Sequence, residues 1–202
     1  MSDTATKTID GRVRRGAENR SALVEALVSL YEEGELSPTA SQIAQRAGVA
    51  VRSVYGHFGD VETLAAEVSQ RQWQVHRGLK DAEPIVGSLD DRIEELVARR
   101  AELFEAVAPV RRAAMLHAHH NETIAANLRV LAKRLRAQVA QTFAPELDRV
   151  GRARTALLLD AADLLLAWES WERLRSQQGC SPVRARRVLA SALFRLLDPT
   201  RE

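Results

Sequence analysis

The run Thr39-Ala-Ser-Gln-Ile-Ala-Gln-Arg-Ala-Gly-Val-Ala-Val-Arg-Ser-Val-Tyr-Gly-His-Phe58 holds two short amphipathic segments with a glycine between them. Ile43, Ala44 and Ala47 share one face of the first, which stops at Gly48. Ser37-Pro38 reads as its start, because a serine oxygen can accept from orphan amides and proline fits the first helical position. The second segment runs from about Val51 to Phe58. Two brief helices joined through glycine by a turn of about three or four residues make a helix-turn-helix. Working outward, Leu23, Ala26, Leu27, Leu30 and Tyr31 keep the helical period from Arg20 to Gly34 and predict a first helix. Downstream, Gly59-Asp60 breaks the pattern, and Asp60 is placed to cap a fourth helix through Leu64, Val68 and Trp73 towards Lys80.

No acidic residue lies between Ser37 and Gly59, whereas Arg46, Arg52 and His57 do. Glu32, Glu33 and Glu35 cluster just before this window, and acids resume at Asp60. A surface that faces phosphates needs such a window, since one carboxylate would repel the backbone. Thr39, Ser41, Ser53 and Tyr55 add hydroxyls within reach of phosphate oxygens. The same two-helix geometry also serves as plain packing.

Ile43-Ala44 spaced to Ala47-Gly48-Val49, then Val54-Tyr55-x-His57-Phe58 and Gly59-Asp60-Val61-Glu62-Thr63-Leu64, resemble the DNA-binding segment of the tetracycline-repressor (TetR) family over residues 20–75. The resemblance implies phosphate contacts from Thr39, Ser53, Tyr55 and His57, and a small core of Ile43, Ala47, Val49, Val54 and Phe58. It places Val51, Arg52 and Gly56 at base edges, with Ser41 beside them; Arg52 can fork onto a guanine and Val51 can meet a thymine methyl. Three departures stand out. Ala50 replaces the family's usual serine, forfeiting an N-cap worth about 0.5–2 kcal/mol. Gly56 sits in mid-helix at a cost of about 1 kcal/mol against alanine, but lets the backbone come close to the groove. Val61 stands where the family often has a phosphate-reaching lysine.

Composition frames the rest. The 202 residues carry a net charge of only +2, so nucleic-acid binding must come from a local patch. Hydrophobic residues at 46% and charged residues at 28% suit a folded chain rather than a disordered tail. The lone Cys180 excludes an internal disulfide framework and suits a reducing cytoplasm, and its role is small-residue packing or oxidant sensing. Residues 1–20 show no secretory leader, and Ala156–Trp168, interrupted by Asp160 and Asp163, is too short to span a bilayer. Residues 1–16, with Lys7, Arg12, Arg14 and Arg15, read either as a disordered tag or as an arm that touches DNA.

Beyond Pro84 and Gly87, helices are expected at about Leu89–Ala106, Pro109–His119, Glu122–Phe143, Asp148–Gln178 and Ser181–Leu197, with Pro199 as the stop. Ala153–Trp171 is apolar on nearly every side and must be buried all round. The last helix adds a stripe of Val188, Leu189, Ala192, Leu193 and Leu196. These last two helices are the expected homodimer surface, packed as an isologous four-helix interface. Phe104, Met115, Leu128, Asp163 and Trp168 are candidate effector-binding residues, Asp163 as an anchor for a donor or cation. Asp160 and Asp163 read equally as paired structural groups. His117 and His120 share a face, but no carboxylate at matching spacing completes a metal site. No phosphate loop, nucleophile elbow or CxxC pair supports an enzyme, and neither metal nor cofactor is expected.

The expected fold is all-α, with about nine helices. An N-terminal arm and helix-turn-helix domain (residues 1–66, the motif at about 38–58) is joined to a helical effector-binding and dimerisation domain (67–202). The expected function is a cytoplasmic homodimeric transcriptional regulator without membrane association. It acts as a repressor on an inverted-repeat operator in double-stranded DNA and is released by a small, mainly apolar effector. The alternative is an all-helical protein-interaction module with neither operator nor inducer.

Overall fold

The computed structural model describes residues 3–75 and 84–198, with side chains from residue 13 onward apart from that of residue 73. Ten α-helices and no strand occur among the described residues: α1 (Asp3–Glu32), α2 (Ala40–Ala47), α3 (Arg52–Phe58), α4 (Val61–Val75), α5 (Leu89–His117), α6 (Glu122–Thr142), α7 (Ala144–Leu147), α8 (Arg152–Leu165), α9 (Trp168–Glu172) and α10 (Pro182–Leu197). A π-helical turn, Arg173–Gln177, continues α9. No described helix is long and apolar enough to cross a membrane.

The chain divides into two compact units, one of residues 1–74 with 108–127 and one of 75–107 with 128–202. In the first, Leu23, Leu27 and Leu30 of α1, Ile43 and Ala44 of α2, Val54 and Phe58 of α3, and Leu64 and Val68 of α4 are all buried. Ala113 of α5 and Ile124 of α6 are buried in the same unit. There His117 Nε2 donates to the Leu36 carbonyl at 3.1 Å, which employs the histidine that the metal reading had considered. In the second unit, Ile93, Leu96 and Phe104 of α5 share a core with Val139, Phe143, Trp168, Trp171, Leu189 and Leu193.

Several boundaries differ from those read in the sequence. Helix α1 begins at Asp3 instead of Arg20, so the N-terminal stretch is helical. Helix propensity without an apolar stripe leaves no periodic mark in the sequence. Pro109 lies inside α5 rather than starting a new helix. Its missing N–H removes a single intrahelical bond, and the buried Val110, Ala113 and Ala114 just beyond it keep the helical spacing. The long helix expected over Asp148–Gln178 is instead broken at both ends. Gly151, extended at ψ 153°, starts α8, and Ala167, at ψ 156°, separates α8 from α9. Leu166 and Trp168 are both buried, though an unbroken helix would place residues two apart about 200° apart around its axis. The break lets both side chains enter the core, and the Leu164 carbonyl there accepts from the Ser170 hydroxyl and, at 3.3 Å, from the Ala167 amide. The continuation of α4 towards Lys80, the basic side chains of Lys7 and Arg12, and the Pro199 stop lie outside the described residues.

Candidate functional site

Helix α2 opens on Thr39, not on Ser37. The Thr39 side chain accepts from the Gln42 amide at 3.3 Å, and the Thr39 amide donates to Gln42 Oε1 at 2.8 Å, completing a capping box. Ser37-Pro38 gives a sequence signal as good as Thr39's; the buried Pro38 lies before the helix as part of its approach. At the other end Gly48 takes φ 68°, and the Val49 amide bonds back to the Ala44 carbonyl at 3.0 Å. This is the reversal a left-handed glycine permits. The chain then turns into α3, whose N-cap position is Val51 rather than Ala50, with no side-chain cap; the Ser53 and Val54 amides donate instead to the Ala50 and Val51 carbonyls.

Val54 and Phe58 are the buried positions of α3. Val51, Arg52, Tyr55 and Gly56 are consequently exposed together, with Tyr55 at 55%. Ser53 and His57 flank them half-buried, while Thr39 and Ser41 lie exposed at the start of α2. The Thr39 hydroxyl also donates to Gln42 Oε1 at 2.7 Å. A methyl group added at Gly56 would meet nothing within 4 Å. Packing within the chain therefore gives no reason for glycine there.

The charges around this face are tidied inward. Arg46, read in the sequence as part of the basic window, instead forks onto Glu33, just past the end of α1, at 2.7 and 2.6 Å and donates to the Ser29 hydroxyl of α1 at 2.7 Å. The Arg46 hydrogen bond holds the Glu33 carboxyl below its ordinary range. Asp60 accepts from the Thr63 amide at 2.7 Å, so it caps α4, and that bond lowers its carboxyl too. Two of the acids bordering the window, Glu33 and Asp60, are thereby occupied.

Arg20 of α1 carries no local sequence signal that marks it for a role. Its Nη1 donates to the His57 carbonyl at 2.9 Å, its Nη2 pairs with Glu67 of α4, and its guanidinium lies 4.4 Å from the Phe58 ring centroid. One side chain thus ties the C-terminal end of α3 to both α1 and α4. The partners lie 37 and 47 residues away, which no local pattern can show. Arg20→Ala is expected to cost about 1–3 kcal/mol in urea unfolding, chiefly through the carbonyl left without its charged donor. Arg20→Lys is expected to restore only part of it, because an ammonium cannot make the fork and the ring contact together.

Of the candidate effector residues, Phe104 and Trp168 meet edge to face with centroids 5.7 Å apart. Asp163, on α8, faces Arg136 of α6, whose Nη1 is 3.4 Å from Asp163 Oδ2 and whose Nη2 is 2.5 Å from Asp160 Oδ1. Both aspartates are therefore paired, and Asp160 is exposed rather than part of a buried wall. Leu128 is half-buried in the second unit, whereas Met115 belongs to the first and is exposed.

No protein-family model and no curated protein matches the chain. Solved structures do. A TetR-family transcriptional regulator from Mesorhizobium loti superposes with a TM-score of 0.65 at 19% identity, covering 91% of this chain and 96% of its own. One from Rhodococcus sp. gives 0.64 at 17% identity, covering 90% and 100%. A member of the TetR transcriptional regulator family from Streptomyces coelicolor gives 0.56 at 20% identity, covering 89% and 91%. At these identities the likeness is one of fold: the chain has the all-helical fold of TetR-family regulators.

Proposed function

We propose that the chain is a homodimeric transcriptional regulator that represses from an inverted-repeat operator and is released by a small effector. The observation that carries this is the exposed face of α3. Val51, Arg52, Tyr55 and Gly56 stand free of internal work in an acid-free window, on a helix held from behind by α1 and α4. Residues 1–66 are assigned to DNA reading and residues 67–202 to effector binding and dimerisation. Thr39, Ser53, Tyr55 and His57 are assigned to phosphates, and Val51, Arg52 and Gly56, with Ser41, to base edges. The open space at Gly56 fits a backbone that must approach the groove, since alanine there would stabilise the helix by about 1 kcal/mol.

The test uses DNA selected from a random pool. Tyr55→Ala is expected to weaken selected and unrelated DNA alike and to make binding less steep in salt. Arg52→Ala is expected to relax preference at one base pair by about 1–3 kcal/mol. A Tyr55→Ala chain that is folded yet binds with undiminished affinity would remove Tyr55 from the interface.

Dimerisation through α8 and α10 is supported by what a single chain leaves uncovered. Leu157 and Leu164 of α8 are 69% and 66% exposed, seven residues apart on one face, and Val183 and Val188 of α10 are exposed as well. Leu189 and Leu193 of the expected stripe are spent on the chain's own core. Large apolar side chains left in water on packed neighbouring helices mark an interface. The effector is proposed to bind in the second unit, with Phe104, Leu128, Asp163 and Trp168 as its contacts. Only Gly59 and Asp60 separate α3 from α4, so a shift of α4 moves the reading helix with it. A ligand achieves release only by binding the released state more tightly.

A further inference from the structure

Arg100 of α5 stands among Leu96, Val97, Leu103 and Phe104 in the core of the second unit, at 2% exposure. Its Nη2 donates to the Leu135 carbonyl of α6 at 2.8 Å, while its Nε is buried with no acceptor. Asp163 of α8 supplies the opposite charge felt at this guanidinium. The hydrogen bonds recorded for that carboxylate and for Asp160, however, come from Arg136. Asp163 thus acts on two arginines, and Arg136 is the one that bonds both acids. Burial pushes the Arg100 guanidinium down to about 10, with Asp163 only partly offsetting it.

A buried arginine with a purely structural role looks different, and the same unit contains one. Arg92 is also buried, and its Nη1 and Nη2 fork onto Glu146 at 2.8 and 2.6 Å, its Nη1 also reaches the Thr142 carbonyl, and its Nε donates to the Gly87 carbonyl at 3.3 Å. Arg100 has no such set, although an unfilled charged donor in the interior is costly. Phe104 lies one turn further along the same face of α5, with the Trp168 ring edge-on against it. What this arrangement leaves unfilled is an acceptor for the Arg100 Nε, one helical turn from the Phe104–Trp168 ring pair.

We propose that Arg100 is the anion anchor of the effector site and that the effector is an amphipathic carboxylic acid. Its carboxylate takes the Nε edge of the guanidinium, and its hydrocarbon or aryl body lies along Phe104 and Trp168. This rests on the second unit being the effector-binding part. It replaces Asp163, already engaged by Arg136, as the polar anchor.

The experiment measures thermal shift and calorimetric binding of the full chain with octanoate and 4-phenylbutyrate, each beside the amide and amine of the same skeleton. The carboxylates are expected to raise the melting temperature and the amides and amines to leave it unchanged. Arg100→Met is expected to melt at or above wild type, because it removes an incompletely partnered buried charge. It should bind operator DNA normally and lose about 10- to 100-fold in carboxylate affinity. Arg100→Lys, which keeps the charge without the fork, serves as the second variant and should lose less. The proposal is overturned by equal binding of amide and acid, by undiminished carboxylate binding in both variants, or by no shift from either carboxylate. It is also overturned by an Arg100→Met chain that melts well below wild type, which would make the residue structural. Neutral ligands that alone release DNA would leave the effector reading standing and defeat the acid class. Acids that bind through Arg100 without releasing DNA would do the reverse.

Discussion

Replacing Leu157 and Leu164 together by glutamate is expected to turn the proposed dimer into a folded monomer and to weaken the proposed operator binding by about 10²–10⁴-fold. Both side chains are more than half exposed in the single chain and lie on one face of α8, so neither supports the subunit's own core. Carboxylates there are solvated in the monomer but are buried against their symmetry mates in an isologous interface, with like charges facing. The affinity loss follows from linkage: two half-site readers held together gain an effective concentration worth about 10²–10⁴ over either one alone. Sedimentation and DNA titration on the same samples check both parts. Retention of the dimer by this variant would place the interface elsewhere.

Arg92→Ala is expected to destabilise the chain by about 3–5 kcal/mol, read as a lower urea midpoint, because it strands a buried carboxylate. Arg92 and Glu146 are each 7% exposed, and their two hydrogen bonds join α5 to α7 across 54 residues of chain. Arg92→Met with Glu146→Leu is expected to recover most of the loss, since an apolar pair leaves no charge behind. The pair also sets an acid limit. Burial by itself raises the Glu146 carboxyl, but the Arg92 hydrogen bond and charge outweigh it, and the net shift is downward from 4.5. A carboxyl lowered in the folded state contributes fully above its unfolded value and loses that contribution as pH falls through the folded value. The stability difference between wild type and the apolar pair should therefore shift against wild type below about pH 4.5.

The helix-turn-helix head was legible because its signals are local. Gly48 at the left-handed turn, Asp60 at the start of α4 and the spacing of Ile43, Ala44, Val54 and Phe58 each act within a few residues. What braces that head was not. Arg20 reaches His57 and Glu67, and Arg46 reaches Glu33 and Ser29, across distances that only the folded chain closes. The second half shows the complementary failure. Pro109 is a strong breaker that a buried helix overrides, while the interruption at Leu166 and Ala167 carries neither proline nor glycine. There the burial of Leu166, Trp168 and Trp171 decides the backbone, which is a tertiary effect without a sequence mark.

The central claim is that two copies of α3 read one inverted repeat, and a footprint of the full chain on DNA enriched from a random pool tests it most directly. The expected result is a protected inverted repeat whose half-sites lie about 34–36 Å apart, one helical turn or a multiple of it. Protection should fall steeply with salt and be lost at low protein concentration in the Leu157→Glu, Leu164→Glu chain. Enrichment of no inverted repeat, together with salt-independent or absent protection and capture of a protein partner instead, would contradict it and favour the helical interaction module.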